Sequence, residues 1–375
     1  MVNKIVWSLS FVCFSLSTLL SLVGIISVIQ IYFNVSIYYA SLYASIFAGV
    51  LGFSSLITPA LFSKFEKKKI IMAILLVTII CNLIEFFITD YYIGLIFRII
   101  PAFSYPIAVS SALTIVGKID PENTNRVVLG ISAGSILGLS ITSYLGFNYG
   151  YQMTILWFCL INVFSLILTI IFIPNFEGNK EPIFVQISHA KSKLFLFSII
   201  YVFFMIVGIS ITYNYIPTYL SEVTQINGEM LFITLFLMGL SALFGTTLSG
   251  YLIQKNANYT VLFYPVGFAI TTFILGLFVK IPFFEFLILL IFGIFDGSAC
   301  TISQYWVTSS VREAPEFANG LFLLMCNLSI FIGTMIGGII IDTINIMYIF
   351  MGSIIMMLLA IPFVLIRIKT NPNVV

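Results

Sequence analysis

Two charged side chains stand where the chain is otherwise apolar, and both are of types that do chemistry. Asp296, in "IFGIFDGSAC", lies twelve or thirteen residues from either end of the apolar run 283–308. At about 1.5 Å per residue that is a depth of about 18–20 Å, near the middle of a bilayer's hydrocarbon layer. An ionisable group there is functional by default, and a carboxyl that can hold a proton is what proton coupling requires. On a helix Asp296 aligns with Cys300, Ser303 and, less closely, Gln304. The structural alternative is a protonated Asp hydrogen-bonded inside a helix bundle. Arg98, in "LIFRIIPAFSYP", has no opposite charge within seven residues on either side. It lies about 10 Å into its run, where an unpaired charge costs several kcal/mol. Either it ties to Glu85, at a similar height in the preceding run, or it faces a cavity. In a cavity it would bind an anionic or polar substrate group, or tune an acid. Tyr105, seven residues on, shares its face.

Other polar groups are sparser. Tyr213, Asn214 and Tyr215 offer hydrogen bonds beside a helix-weakening Pro217, and Tyr219 fits an interfacial anchor. The first apolar run contributes only hydroxyls, Ser10, Ser17, Thr18 and Ser21. The one histidine, His189, reads as a plain loop residue. Cys13, Cys81, Cys159, Cys300 and Cys326 lack metal-ligand spacing and read as reduced packing residues. No metal site, cofactor or nucleic-acid partner is expected. Membrane enzymes need clustered nucleophile, base or metal ligands, and none can be assembled here. A passive channel is disfavoured too, because no repeated filter or charge ring occurs.

The elements that position these groups follow from composition. Of 375 residues, 61% are hydrophobic and only 8% charged, against roughly 25% charged in a soluble domain. The solvent must therefore be lipid. Cutting at charged and turn-rich punctuation gives twelve spans: 5–32, 39–63, 69–89, 92–117, 127–147, 151–174, 194–220, 229–253, 260–279, 283–308, 317–341 and 344–366. The first is too long for a signal-peptide core. The longest polar link, 175–193, falls mid-chain, so we expect a six-helix bundle over 1–174, a central cytoplasmic loop, and a second bundle over 194–375. Placing the N-terminus inside puts every Lys and Arg except Lys280 and the intramembrane Arg98 on the inner side. Both termini are then cytoplasmic.

The halves echo each other. "KIDPENTNR" and "REAPEFANG" both place Pro-Glu before a glycine-punctuated span (Pro121-Glu122 and Pro315-Glu316). Small residues recur four apart in every third span: Ser45/Gly49, Gly130/Gly134/Gly138, Gly245/Ser249 and Gly333/Gly337. Such spacing lets helix backbones approach closely, and its recurrence is what three-span repeats produce.

These stretches resemble the major facilitator superfamily, and within it the twelve-span drug:proton antiporters that include bacterial sugar-efflux and purine-efflux exporters. The fourth-span signature is resembled through Arg98, Ala102 and Pro106, and the fifth-span antiporter motif through "GISAGSILGLSITSYLGFNYGY", with Ser140 where proline is usual. Tyr215 and Pro217 match the seventh-span pattern; Asn327, Gly333, Gly337 and Gly338 match the eleventh. The loop 2–3 motif keeps its basic cluster but has Ser63 for its aspartate. The acid that relatives often carry near Leu19 is absent, so their coupling scheme does not transfer.

The resemblance implies an all-α membrane protein of two pseudo-symmetric bundles, with spans 1, 4, 7 and 10 lining a cavity and spans 2, 5, 8 and 11 forming the contact between halves. It also implies a monomeric exporter of a small organic solute, exchanged for protons across a bacterial cytoplasmic membrane. The substrate and coupling candidates are Asp296, Arg98, Glu85, Tyr105, Tyr213, Asn214, Tyr215 and Gln304. The conformational candidates are Gly130, Gly134, Gly138, Gly333 and Gly337. A uniporter, or a non-transporting sensor on the same fold, are the alternative readings.

Overall fold

The computed structural model describes residues 2–177, 193–278, 282–310 and 315–370. Most of the central loop, with Lys180, His189 and Lys191, lies outside the described residues, as do Lys280 and Arg312. The rest is helical, with no strand among the described residues. Eleven helical stretches among them are long and apolar enough to cross a bilayer. The 50-residue α10 (Gly228–Leu277) would be about 75 Å long if continuous, more than twice a hydrocarbon layer. It is interrupted at Asn256, whose backbone is extended (φ −162°, ψ 95°). The two lengths on either side match the expected eighth and ninth spans, so the fold is the twelve-span one.

The chain forms two compact units, Met1–Ile183 and Phe184–Val375. The first contains α1 (Val2–Ser17), α2 (Ile26–Phe33), α3 (Ile37–Leu61), α4 (Lys67–Phe87), α5 (Tyr91–Ile119), α6 (Thr124–Tyr149) and α7 (Tyr151–Phe172). The second contains α8 (Lys193–Tyr213), α9 (Ile216–Glu222), α10, α11 (Pro282–Thr308), α12 (Pro315–Thr343) and α13 (Ile349–Thr370). Large apolar side chains such as Phe53, Phe87, Ile171, Phe263 and Phe273 are exposed. That is the reverse of an aqueous protein and fits a surface solvated by lipid.

Two spans are broken at corresponding places. Span 1 loosens into a tight 3₁₀ stretch, Thr18–Ile25, between α1 and α2. Its hydroxyls bond back along the chain, Thr18 to the Ser15 carbonyl and Ser21 to that of Thr18. Such back-bonding competes with regular helix. Span 7 breaks at Asn214–Tyr215, between α8 and α9. Pro217 has no N–H for the carbonyl of Tyr213, which is why the helix does not run through.

The glycine stripes press on these broken spans. A Cβ at Gly130 would strike the Ser10 carbonyl, one at Gly134 would lie 2.9 Å from Ser17 Cβ, and one at Gly138 would lie 3.1 Å from Thr18 Cα. In the second unit Gly333 meets the Val207 carbonyl at 2.7 Å, and Gly337 meets the Tyr215 ring. Spans 5 and 11 thus lie on spans 1 and 7 of their own units. For these glycines each such close approach is made inside one unit, where lipid offers no hydrophobic drive and close backbone contact supplies the attraction.

Candidate functional site

In the first unit the polar centre is Arg98. It sits on α5 with only 1% of its surface exposed. The bend-prone α5 carries Pro101 and Pro106 internally, and the Ala102 carbonyl that Pro106 leaves unpaired receives the Ser54 hydroxyl of α3 at 3.5 Å. Arg98 Nη2 donates to the Leu19 carbonyl, inside the 3₁₀ stretch of span 1. Its guanidinium lies 5.2 Å from the Phe47 ring centre and 5.6 Å from that of Phe158. A desolvated cation over an aromatic face gains about 2 kcal/mol.

Glu85 lies close by but does not pair with Arg98 directly. Among the described residues the ion pair within 4.0 Å is Lys69–Glu66. Instead the hydroxyls of Tyr43 (α3) and Tyr151 (α7) both donate to Glu85 Oε1, at 2.6 and 2.8 Å. Tyr43 lies in the field of both Glu85 and Arg98. The direct tie expected from the sequence is corrected: two tyrosine hydroxyls, and not Arg98, hold Glu85. The long Tyr43 and Tyr151 side chains reach the carboxylate first, and the guanidinium turns to the Leu19 carbonyl in the 3₁₀ stretch of span 1. Tyr105 is buried as well, with its hydroxyl 2.8 Å from that of Ser17 on α1. Two further hydroxyls close the α6 side of the break, Thr142 on Ser21 (2.7 Å) and Ser143 on the Gly24 carbonyl (3.2 Å).

In the second unit Asp296 lies on α11, surrounded by protein yet part-exposed. Among the described residues nothing hydrogen-bonds its carboxylate. The Tyr213 and Tyr264 hydroxyls and the Cys300 thiol are within its electrostatic reach. Tyr264 is fixed by donating to the Phe295 carbonyl at 2.8 Å. Cys300 and Gln304 are exposed one and two turns further along α11. Tyr213 is part-exposed, whereas Asn214 and Tyr215 are buried. Their side chains reach α12: Asn214 Nδ2 donates to Thr334 Oγ1 (2.5 Å), and the Tyr215 hydroxyl to the Thr334 carbonyl (2.7 Å). These two clamp the break in span 7, so the cavity-lining role expected for them is corrected. The break turns them toward α12 and leaves Tyr213 facing Asp296.

Arg367, near the end of α13, has no exposed surface. It donates to Ser198 Oγ (2.6 Å), Ser309 Oγ (2.7 Å) and the Trp306 carbonyl, and its guanidinium lies 3.6 Å from the Trp306 ring centre. It ties α13 to α8 and to the C-terminal end of α11, where a cation suits the helix dipole. From sequence it was one more cytoplasmic charge; the helix-terminal carbonyl it caps has no signature in residue types. All five cysteines are free.

The family model described as Major Facilitator Superfamily matches residues 6–334. Among curated proteins the chain is similar to the MFS-type transporter YbcL of Bacillus subtilis (strain 168), 25% identical over 310 residues, 80% of this chain and 79% of that one. It is also similar to a probable sugar efflux transporter of Helicobacter pylori (strain P12), 24% identical over 82% of this chain and 80% of that one. Two solved structures share the fold at 14% identity. A mutant of the nucleoside transporter NupG gives a TM-score of 0.73 over 99% of both chains. A bacterial homolog of the human lysosomal transporter Spinster, inward-facing and unoccupied, gives 0.77 over 100% of this chain and 98% of that one. With a family model spanning most of its length and twelve spans in the matching architecture, this chain belongs to the Major Facilitator Superfamily, a family of membrane transporters.

Proposed function

We propose that this protein is a secondary transporter that exports a small organic solute in exchange for protons. Residues 1–174 and 194–375 act as two halves that alternate access to a site near the middle of the membrane. The observation that carries the reading is Asp296: an unpaired carboxyl midway along α11, part-exposed, with Tyr213 and Tyr264 beside it. An acid so placed alternates between protonated and ionised forms as its hydration changes, which couples proton movement to access. The substrate class is a neutral polar solute, a sugar or a nucleoside, because Asp296 and the hydroxyl-bearing Tyr213 are part-exposed while Arg98 is occupied by the Leu19 carbonyl and two aromatic rings. The names of the sugar-efflux relatives and of the nucleoside transporter support the same class. The protein works as a monomer in the bacterial cytoplasmic membrane with both termini inside.

The experiment is flux in everted vesicles, with and without an imposed pH gradient, across sugars, nucleosides and drugs. A gradient-driven flux of one class supports the reading. Flux indifferent to the gradient makes the protein a uniporter, and no flux of any solute favours a sensor.

A further inference from the structure

A second buried acid lies in the second unit. Glu285, in the first turn of α11, has no exposed surface, and neither carboxylate oxygen has a hydrogen-bond partner among the described residues. The Tyr219 hydroxyl of α9 is the polar group beside it, short of hydrogen-bond geometry, and is buried and otherwise unpartnered too. The Phe350 ring of α13 packs edge-on against Tyr219 at 5.2 Å and closes the cluster on the other side.

Glu85 in the first unit shows how a buried carboxyl is satisfied in this protein. It receives two hydroxyl donors on one oxygen and shares Tyr43 with the field of Arg98. Glu285 receives neither. No Lys, Arg or His of the described residues lies within ion-pair distance of it. Tyr219 is the titratable group that faces it. Glu222, Glu229, Asp342 and Tyr348, the other titratable groups at helix ends of this unit near Tyr219 or α13 in the chain, are exposed. An isolated carboxylate in so dry a place is too costly to persist, and the group neutralises instead. A neutral carboxyl has an O–H to donate, and the unpartnered Tyr219 oxygen is there to accept it.

We propose that Glu285, with the Tyr219 hydroxyl as its partner, is a proton-binding site distinct from Asp296. The two acids are eleven residues apart, which is three helical turns, about 16 Å, and nearly the same face of α11. Leu289 and Phe292 fill that face between them and are buried, so no proton passes directly from one to the other in this conformation. Glu285 therefore holds its proton at the Glu222 end of the unit, sealed from Asp296. A sodium ion is the rival occupant. It needs several oxygen ligands, and the surrounding main-chain oxygens are engaged in helices.

The test is the protonated-carboxyl C=O stretch in the infrared spectrum of the purified full-length protein in lipid at neutral pH, which does not depend on transport. Glu285→Gln is expected to lose the absorbance of a single carboxyl, and Asp296→Asn to retain it. Tyr219→Phe is expected to shift the band to the higher frequency of a carboxyl without an acceptor. Tyr219→Phe keeps the acid, so it decides the matter even if Glu285→Gln does not fold. A band unchanged in Tyr219→Phe would overturn the proposal. So would a spectrum in which the Glu285 band is absent, or an ionised-carboxylate band that moves when sodium replaces potassium.

Discussion

Arg98 is the group whose burial is hardest to explain without its surroundings, and its surroundings make it a clasp. It holds the Leu19 carbonyl where span 1 loosens, and Tyr43, which donates to Glu85, lies in the field of both charges. Removing one partner of a buried charge pair costs about 3–5 kcal/mol, because the other is left unbalanced. Arg98→Gln and Glu85→Gln should each lower thermal stability in detergent by an amount of that order, and the double variant should recover part of the loss. Tyr43→Phe should cost less, about 1–3 kcal/mol, since Tyr151 still serves the carboxylate. A double variant as unstable as the sum of the singles would show that the two charges do not interact through Tyr43. Composition exposed Arg98, Glu85 and Asp296 as candidates, because a charge inside an apolar run is visible from sequence. Their partners were not legible. Tyr43, Tyr151 and the Leu19 carbonyl come from three other helices, and a carbonyl released by a helix break has no residue type to announce it. Glu285 was missed because it lies near the end of its run, where an acid passes for an interfacial one.

At the scale of helices, the two units repeat one device: a broken span held by a neighbour with small residues. Span 1 loosens at Thr18–Ile25 and lies under the glycines of α6, while span 7 breaks at Asn214–Tyr215 and lies under those of α12. The stripes could be read from spacing alone, and so could the span ends; the break at Asn256 even falls in the polar "QKNAN". Which helix a stripe faces could not be read, because four-residue spacing defines a face and not its partner. A leucine at Gly134 would have to displace the Phe14 carbonyl as well as Ser17. Gly134→Leu is therefore expected to part α1 from α6, reducing both the yield of folded protein and its melting temperature in detergent. Gly117, with nothing within 4 Å of a Cβ, should accept alanine without loss. Unchanged stability in Gly134→Leu would mean that the α1–α6 contact does not hold the unit together.

For the whole molecule, orientation sets which end of each span meets which side. The basic residues gather at one set of helix ends, so single cysteines near Lys67 and His189 should label only from the cytoplasm, and one near Glu222 only from outside. External labelling near Lys67 would reverse the orientation and with it the direction of export. The expected orientation rests on loop charge, which needs no packing to be read. Substrate identity is not legible, because Tyr213 and Tyr264 are common residue types that only the fold brings near Asp296. The central claim is that Asp296 carries the exchanged proton, and one measurement addresses it directly: substrate movement by Asp296→Asn in reconstituted vesicles, with and without a pH gradient. The amide imitates the permanently protonated acid, so substrate should still exchange between the two sides, while a pH gradient should no longer drive accumulation. Undiminished gradient-driven accumulation in Asp296→Asn would contradict the account.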